Sequence, residues 1–82
     1  MKKIKPQSES VKALKQQIAS VLKPVIQNKI DSGVSQMEIS KVLDCTQPRV
    51  SNLLNNRLDL FSLDKLWDFC IRLELKPQLS IQ

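Results

Sequence analysis

Histidine and tyrosine are absent from this 82-residue sequence, and glycine occurs once, at Gly33. Without histidine, the side chain that most often serves as general base and metal ligand is missing. A single glycine excludes a glycine-rich loop for cradling phosphates. No carboxylates are paired at an acid–base spacing, and no serine has a plausible base partner. The chain therefore reads as a binding protein and not an enzyme. Two cysteines, Cys45 and Cys70, provide neither a disulfide framework nor a zinc ligand set. Both are expected to be reduced thiols packed as small hydrophobes. No metal ion or other cofactor is expected. The longest apolar runs are far too short for a signal peptide or a membrane span, so the expected location is cytoplasmic, with no membrane partner.

Aromatic residues are also scarce: Phe61, Trp67 and Phe69 are the whole set. Few segments alternate β-branched and polar residues, so the expected fold class is all-α, a compact bundle of four to five helices. A domain of this size buries only about 60% of its unfolded surface, which implies a modest core.

What is plentiful is lysine, and it is unevenly placed. The net charge of +5 comes wholly from the early part: residues 1–30 carry seven lysines against Glu9, whereas residues 31–82 carry six basic and seven acidic groups. Residues 1–7 are read as a basic flexible tail, with Lys2, Lys3 and Lys5 able to supply sequence-independent attraction to phosphate. Residues 8–76 form the domain. Residues 77–82 are an extended segment in which Leu79 and Ile81 alternate with polar neighbours, the pattern of a short strand.

Within the domain, Ser8 or Ser10 can cap a helix carrying Val11, Leu14, Ile18, Val21, Leu22, Val25, Ile26 and Ile30. Pro24 either kinks it or divides it in two, and Gly33 is placed to end it. Ser35 followed by Glu38 forms a capping box for a second helix over residues 36–43, with Ile39, Val42 and Leu43 inward. Thr46 caps a third helix over residues 47–55, with Pro48 in its first turn and Val50, Leu53 and Leu54 inward. Asp44, and Asn55 with Asn56, fall where the chain must turn out of a helix, and both residue types tolerate the left-handed conformation. Ser62 caps a fourth helix to about Leu75, whose inner face is Leu63, Leu66, Cys70 and Leu73, with Phe61 and Phe69 at its edges. Two short helices joined by a tight turn, with a polar start to the second, have the layout of a helix-turn-helix that enters the DNA major groove.

Residues 24–75 resemble a Cro/repressor-type (XRE-family) helix-turn-helix domain. The resemblance rests on Ser-Gln opening the second helix, Thr-Gln the third and Phe-Ser the fourth. The segment QPRVSNLL followed by LDLFSLDKL is similar to a branch that includes HigA-type antitoxins and small phage regulators. Asp44 and Asn56 stand where that family usually has glycine, and Pro48 takes a place that often carries a base-reading side chain. The resemblance implies a dimeric, sequence-specific transcription regulator, commonly a repressor, on a palindromic operator. An antitoxin that neutralises a toxin and represses its own operon is an alternative, as is a protein-interaction module that binds no DNA.

The expected base-reading residues are Gln47, whose amide suits adenine, Arg49, whose fork suits guanine, and Asn52 one turn on. Gln36, Thr46, Arg57 and Ser62 are expected to contact phosphate. Lys41 and Lys65 read as solvated charges. Trp67 and Ile71 form an apolar pair on the fourth helix with no evident intramolecular partner. With Leu79 and Ile81 they make up the expected homodimer interface. The expected partners are double-stranded DNA, a second copy of the chain and, on the antitoxin reading, a toxin.

Overall fold

The computed structural model describes residues 9–79. Four α-helices are present: α1 (Glu9–Asp31), α2 (Gln36–Leu43), α3 (Gln47–Leu54) and α4 (Leu63–Arg72), with a single 3-10 turn at Leu58–Leu60 between the last two. No strand occurs among the described residues. The stretch at 77–79, including Leu79, has no regular secondary structure, and Ile81 and the basic tail at 1–7 lie outside the described residues.

α1 is one continuous helix with Pro24 inside it, so the proline does not divide the segment. The cost of the missing N–H is offset by burial on both sides of it. Ile18, Ala19, Leu22 and Ile26 form a stripe at helical spacing and are essentially inaccessible to solvent. Ile39 and Leu43 of α2, Val50 and Leu53 of α3, Leu58 and Phe61 of the connecting turn, and Leu66, Phe69 and Cys70 of α4 close around that stripe. Ile30, Val34, Cys45, Leu54, Leu63, Leu73 and Leu75 pack on the core from its margins.

Two core expectations change. Val42 is 50% exposed, and Ser40 takes a buried place, its hydroxyl donating to the Met37 carbonyl at 2.6 Å. Positions 40 and 42 lie at equal angles on either side of the Ile39–Leu43 direction, so the elements packed against α2, and not its own periodicity, decide which is covered. Phe69 is not an edge residue but the largest fully buried side chain, edge-on to Phe61 at 5.8 Å between ring centres. Lys15 is buried despite its charge. Its Nζ donates to the Leu58 carbonyl at 3.4 Å and so ties α1 to the 3-10 turn.

All four helices end in the same way. Just past each end, one amide reaches back five positions and the amide before it reaches back three. The pairs are Val34 to Lys29 with Gly33 to Ile30, Cys45 to Ser40 with Asp44 to Lys41, Arg57 to Asn52 with Asn56 to Leu53, and Leu75 to Cys70 with Glu74 to Ile71. This is the Schellman arrangement, which needs a left-handed residue at its corner. Gly33 provides it at φ 107°, whereas Asp44, Asn56 and Glu74 adopt it at φ 55°, 62° and 58°. Asp44 and Asn56 thus do turn the chain where glycine is common. Glu74 is the costliest of the three, because its longer side chain does not favour that region. α4 accordingly stops at Arg72, short of Leu75.

Glu74→Gly is expected to stabilise the domain by about 0.5–1 kcal/mol, and Gly33→Ala to destabilise it by about 1 kcal/mol or more. A Cβ at residue 33 meets nothing within 4 Å, so the second effect is purely backbone strain. Urea unfolding of the two variants measures both; a Glu74→Gly midpoint at or below that of the parent chain would refute the first.

Candidate nucleic-acid interface

The start of α3 is the most polar exposed edge of the motif. With Val50, Leu53 and Leu54 turned inward, residues 48 and 52 lie opposite the core and residue 49 flanks them, while residue 47 is exposed because it is the first of the helix. Gln47, Pro48 and Arg49 are exposed; Asn52 and Ser51 are half-buried. Pro48 therefore occupies a central outward position and offers no donor, which places polar contact on Gln47, Arg49 and Asn52 around it.

Three helix starts are exposed on the domain. At α2, the Ser35 hydroxyl accepts from the Glu38 amide at 3.1 Å, the hydroxyl half of the expected capping box, and Gln36 is the first helical residue. At α4, the Ser62 hydroxyl accepts from the Lys65 amide at 3.0 Å. At α3, Thr46 has the backbone of a cap but its hydroxyl makes no capping bond. That hydroxyl and the Gln47 amide remain available to an anion, which the helix start favours electrostatically, whereas Pro48 has no N–H and the Arg49 amide already donates to the Thr46 carbonyl at 3.0 Å.

Arg49 is not a free outward fork. Its Nη1 donates to the Leu60 carbonyl at 2.9 Å, and the guanidinium lies over the Phe61 ring at 5.5 Å. Lys65 Nζ in turn lies 5.6 Å from the Phe69 ring centre. Each ring of the edge-to-face pair thus carries one cation, and cation–π attraction of this kind orients each side chain. Thr46, Arg49, Ser62 and Lys65 line one open cavity of about 370 Å³ between the starts of α3 and α4. Lys65 belongs to this group although its sequence context suggests only a solvated charge. The signal for it is its spacing, four residues before Phe69 on the same helix.

Arg57 leaves the end of α3 and pairs with Asp59, Nε to Oδ1 at 3.2 Å and Nη2 to Oδ2 at 3.3 Å. These hydrogen bonds hold the Asp59 carboxyl below the ordinary carboxylate range and raise Arg57 further. Neighbouring Asn56 accepts from Lys23 of α1 at 3.2 Å, which fixes the turn. Gln36, Thr46, Gln47, Arg49 and Ser62 therefore belong to helix starts, Asn52 lies within α3 one turn on, and Arg57 lies in the turn after it. Trp67 and Ile71 do not join them. They lie on the outer side of α4, 38% and 60% exposed, beside a cavity of about 520 Å³ completed by Glu74, Leu75, Lys76 and Pro77.

A family model described as a helix-turn-helix domain matches residues 2–82. No curated protein matches the chain. A solved structure named as an XRE-family transcriptional regulator shares the fold at a TM-score of 0.71 and 27% identity, over 89% of this chain and 79% of that one. The chain belongs to the helix-turn-helix domain family, and it is a DNA-binding protein of the XRE type. No helix among the described residues is long and apolar enough to cross a membrane.

The thiols provide a test of how closed the turn is. Burial pushes Cys45 above its ordinary value, with Lys65 and Arg49 pulling down against it and Asp44 adding to the rise; burial alone raises Cys70. A raised pKa leaves less thiolate at neutral pH, and thiolate is the reactive form. Alkylation of the native protein is therefore expected to be slower than that of a free cysteine. Its rate should keep climbing to higher pH, with Cys70, fully buried, reacting after Cys45. Mass spectrometry of timed iodoacetamide reactions reads this directly, and equal rates for the two thiols would contradict the packing.

Proposed function

We propose that this protein is a transcription regulator, acting as a repressor, that binds a palindromic operator as a homodimer. One observation carries the reading. α3 is seated on the core by Val50 and Leu53, and its exposed side carries the polar residues Gln47, Arg49 and Asn52 beside three helix starts. In this reading Gln47 and Asn52 present amides to base edges, and Arg49 uses the N–H groups left over from its bond to Leu60 to read guanine. Gln36, Thr46, Ser62 and Arg57 hold phosphates on either side and set the register. The lysine-rich N-terminal residues add affinity without specificity.

A single recognition helix spans only a few base pairs, so selectivity calls for two, spaced about 34 Å apart along the duplex. The exposed pair Trp67 and Ile71 supports assembly through the outer side of α4, and the apolar residues Leu79 and Ile81 are assigned to the same interface from their sequence pattern. Large apolar side chains grouped on one exposed helix side are typical of such contacts.

Selection of bound duplexes from a random library at about 150 mM salt, a concentration at which phosphate attraction alone is weak, tests the whole reading; a two-fold symmetric consensus is expected, and recovery of random sequence would refute it. Within that consensus, Arg49→Ala is expected to cost about 1–3 kcal/mol and to relax preference at one base pair per half-site. Arg57→Ala should weaken all duplexes alike and lower the salt slope by about one. Equal losses on selected and random DNA for Arg49→Ala would move that residue to the phosphate group. Sedimentation equilibrium is expected to show a dimer for the parent chain and a monomer for the Trp67→Ala, Ile71→Ala double variant. A dimer in both places the interface elsewhere.

A further inference from the structure

Asp59 is the acidic residue that faces Arg57 in the turn after α3. The contact is a fork on a fork: two guanidinium nitrogens donate to two carboxylate oxygens at 3.2 and 3.3 Å. A DNA phosphate offers the same pair of oxygens to the same fork. The two oxyanions therefore compete for the Nε–Nη2 edge of Arg57: while Asp59 holds that edge and offsets the charge, only the N–H groups at the Nη1 end are left for a phosphate. Both side chains are more than half exposed, so water and salt reach the pair, and pairs of this kind are held weakly.

The surroundings leave Asp59 a place to go. Lys12 and Lys15 of α1 line the same cavity of about 210 Å³ as Asp59, together with Gln16, Asn56 and Leu58. Lys15 is fixed there by its bond to the Leu58 carbonyl. The charged groups around the carboxylate are thus Arg57 in its own turn and two ammonium groups on the helix packed against that turn. When the fork turns away, Asp59 is left among cations and not alone.

We propose that Asp59 is an internal competitor for DNA phosphate: it occupies the Nε–Nη2 edge of Arg57 in the free protein, must be displaced for that edge to reach the backbone, and so holds down affinity for every DNA sequence alike. This rests on the reading that Arg57 faces phosphate. It assigns to Asp59 a positioning role that acts through Arg57 and requires no contact between Asp59 and DNA. A residue serving only the fold would weaken binding when changed; this one is expected to strengthen it.

The test is a four-chain cycle on the full-length protein: the parent chain, Asp59→Asn, Arg57→Ala and the double variant, each titrated with one selected and one random duplex at fixed salt. Asp59→Asn keeps size and shape and removes the charge. It is expected to tighten binding to both duplexes by about two- to fivefold, the range typical of breaking an exposed pair. In the Arg57→Ala background the same change should give little or no gain, because coupled residues are not additive. An equal gain in both backgrounds would reduce the effect to bulk charge and overturn the proposal. Weaker binding by Asp59→Asn would overturn it in the other direction, by showing that Asp59 aims Arg57 at the phosphate. If Arg57→Ala alone changes nothing, the phosphate reading of Arg57 fails first, and that result is distinct from the other two. Thermal unfolding of each chain, with Asp59→Ser as a second variant, separates a binding change from a folding one.

Discussion

The stripe of Ile18, Leu22 and Ile26 along α1 is the surface on which α3, α4 and the 3-10 turn are placed, and α2 is held in turn by α3 and α4. The three helices that follow have eight, eight and ten residues. Isolated helices of fewer than about 12–15 residues are marginal in water, so these persist because they bury one side. A fully buried Leu, Ile or Phe contributes about 1.5–3 kcal/mol relative to exposure. Each short helix places two or three such residues on α1 or against each other. The direction in which α3 presents Gln47 and Asn52 is therefore a result of packing: turning α3 about its axis would lift Val50 and Leu53 out of the core.

That core reaches the surface at one place. Phe69 is buried, Phe61 meets it edge-on, and Arg49 and Lys65 lie over the two rings from outside. The bond from Arg49 to the Leu60 carbonyl joins the same group. The recognition helix, the turn after it and the start of α4 are thus connected through one aromatic pair. A change of angle between α3 and α4 must disturb two cation–π contacts and a hydrogen bond at once. Arg49 has two tasks within this unit, holding the turn and offering its remaining donors outward, and this explains why a residue at the flank of the helix carries so long a side chain.

Much of this was legible in the chain because helix ends are written locally. Ser35, Thr46 and Ser62 mark three starts, and Gly33, Asp44 and Asn56 mark three ends, through chemistry confined to a few neighbouring residues. The bounds of α2 coincide with the expectation, and those of α3 fall one residue short of it. What escaped depends on contacts distant in sequence. Ser40 is buried and Val42 exposed because the neighbours of α2 cover one of two sides that are equivalent in its own periodicity. Lys15 is buried because its ammonium meets the carbonyl of Leu58, 43 positions away. The link from Arg49 to Phe61 needs the turn after α3 to fold back, which no spacing rule contains. For the same reason the outward residues of α3 could be named from periodicity, while the pairing of Arg57 with Asp59 could not.

The end of α4 shows a conflict of another kind. Glu74, Leu75 and Lys76 are all good helix formers, and the first residue that forbids continuation is Pro77. Local preference extends the helix by another turn. Packing halts it instead, with Glu74 in the left-handed region and Leu75 bonded back to Cys70 and resting on the core. Natural domains are locally consistent almost everywhere, and a residual disagreement marks a segment with two close-lying arrangements. Here those arrangements differ in the direction taken by the chain beside Trp67 and Ile71. The C-terminal end is thus a frustrated element, and whatever covers that side of α4 acts on the balance between a longer helix and a folded-back tail.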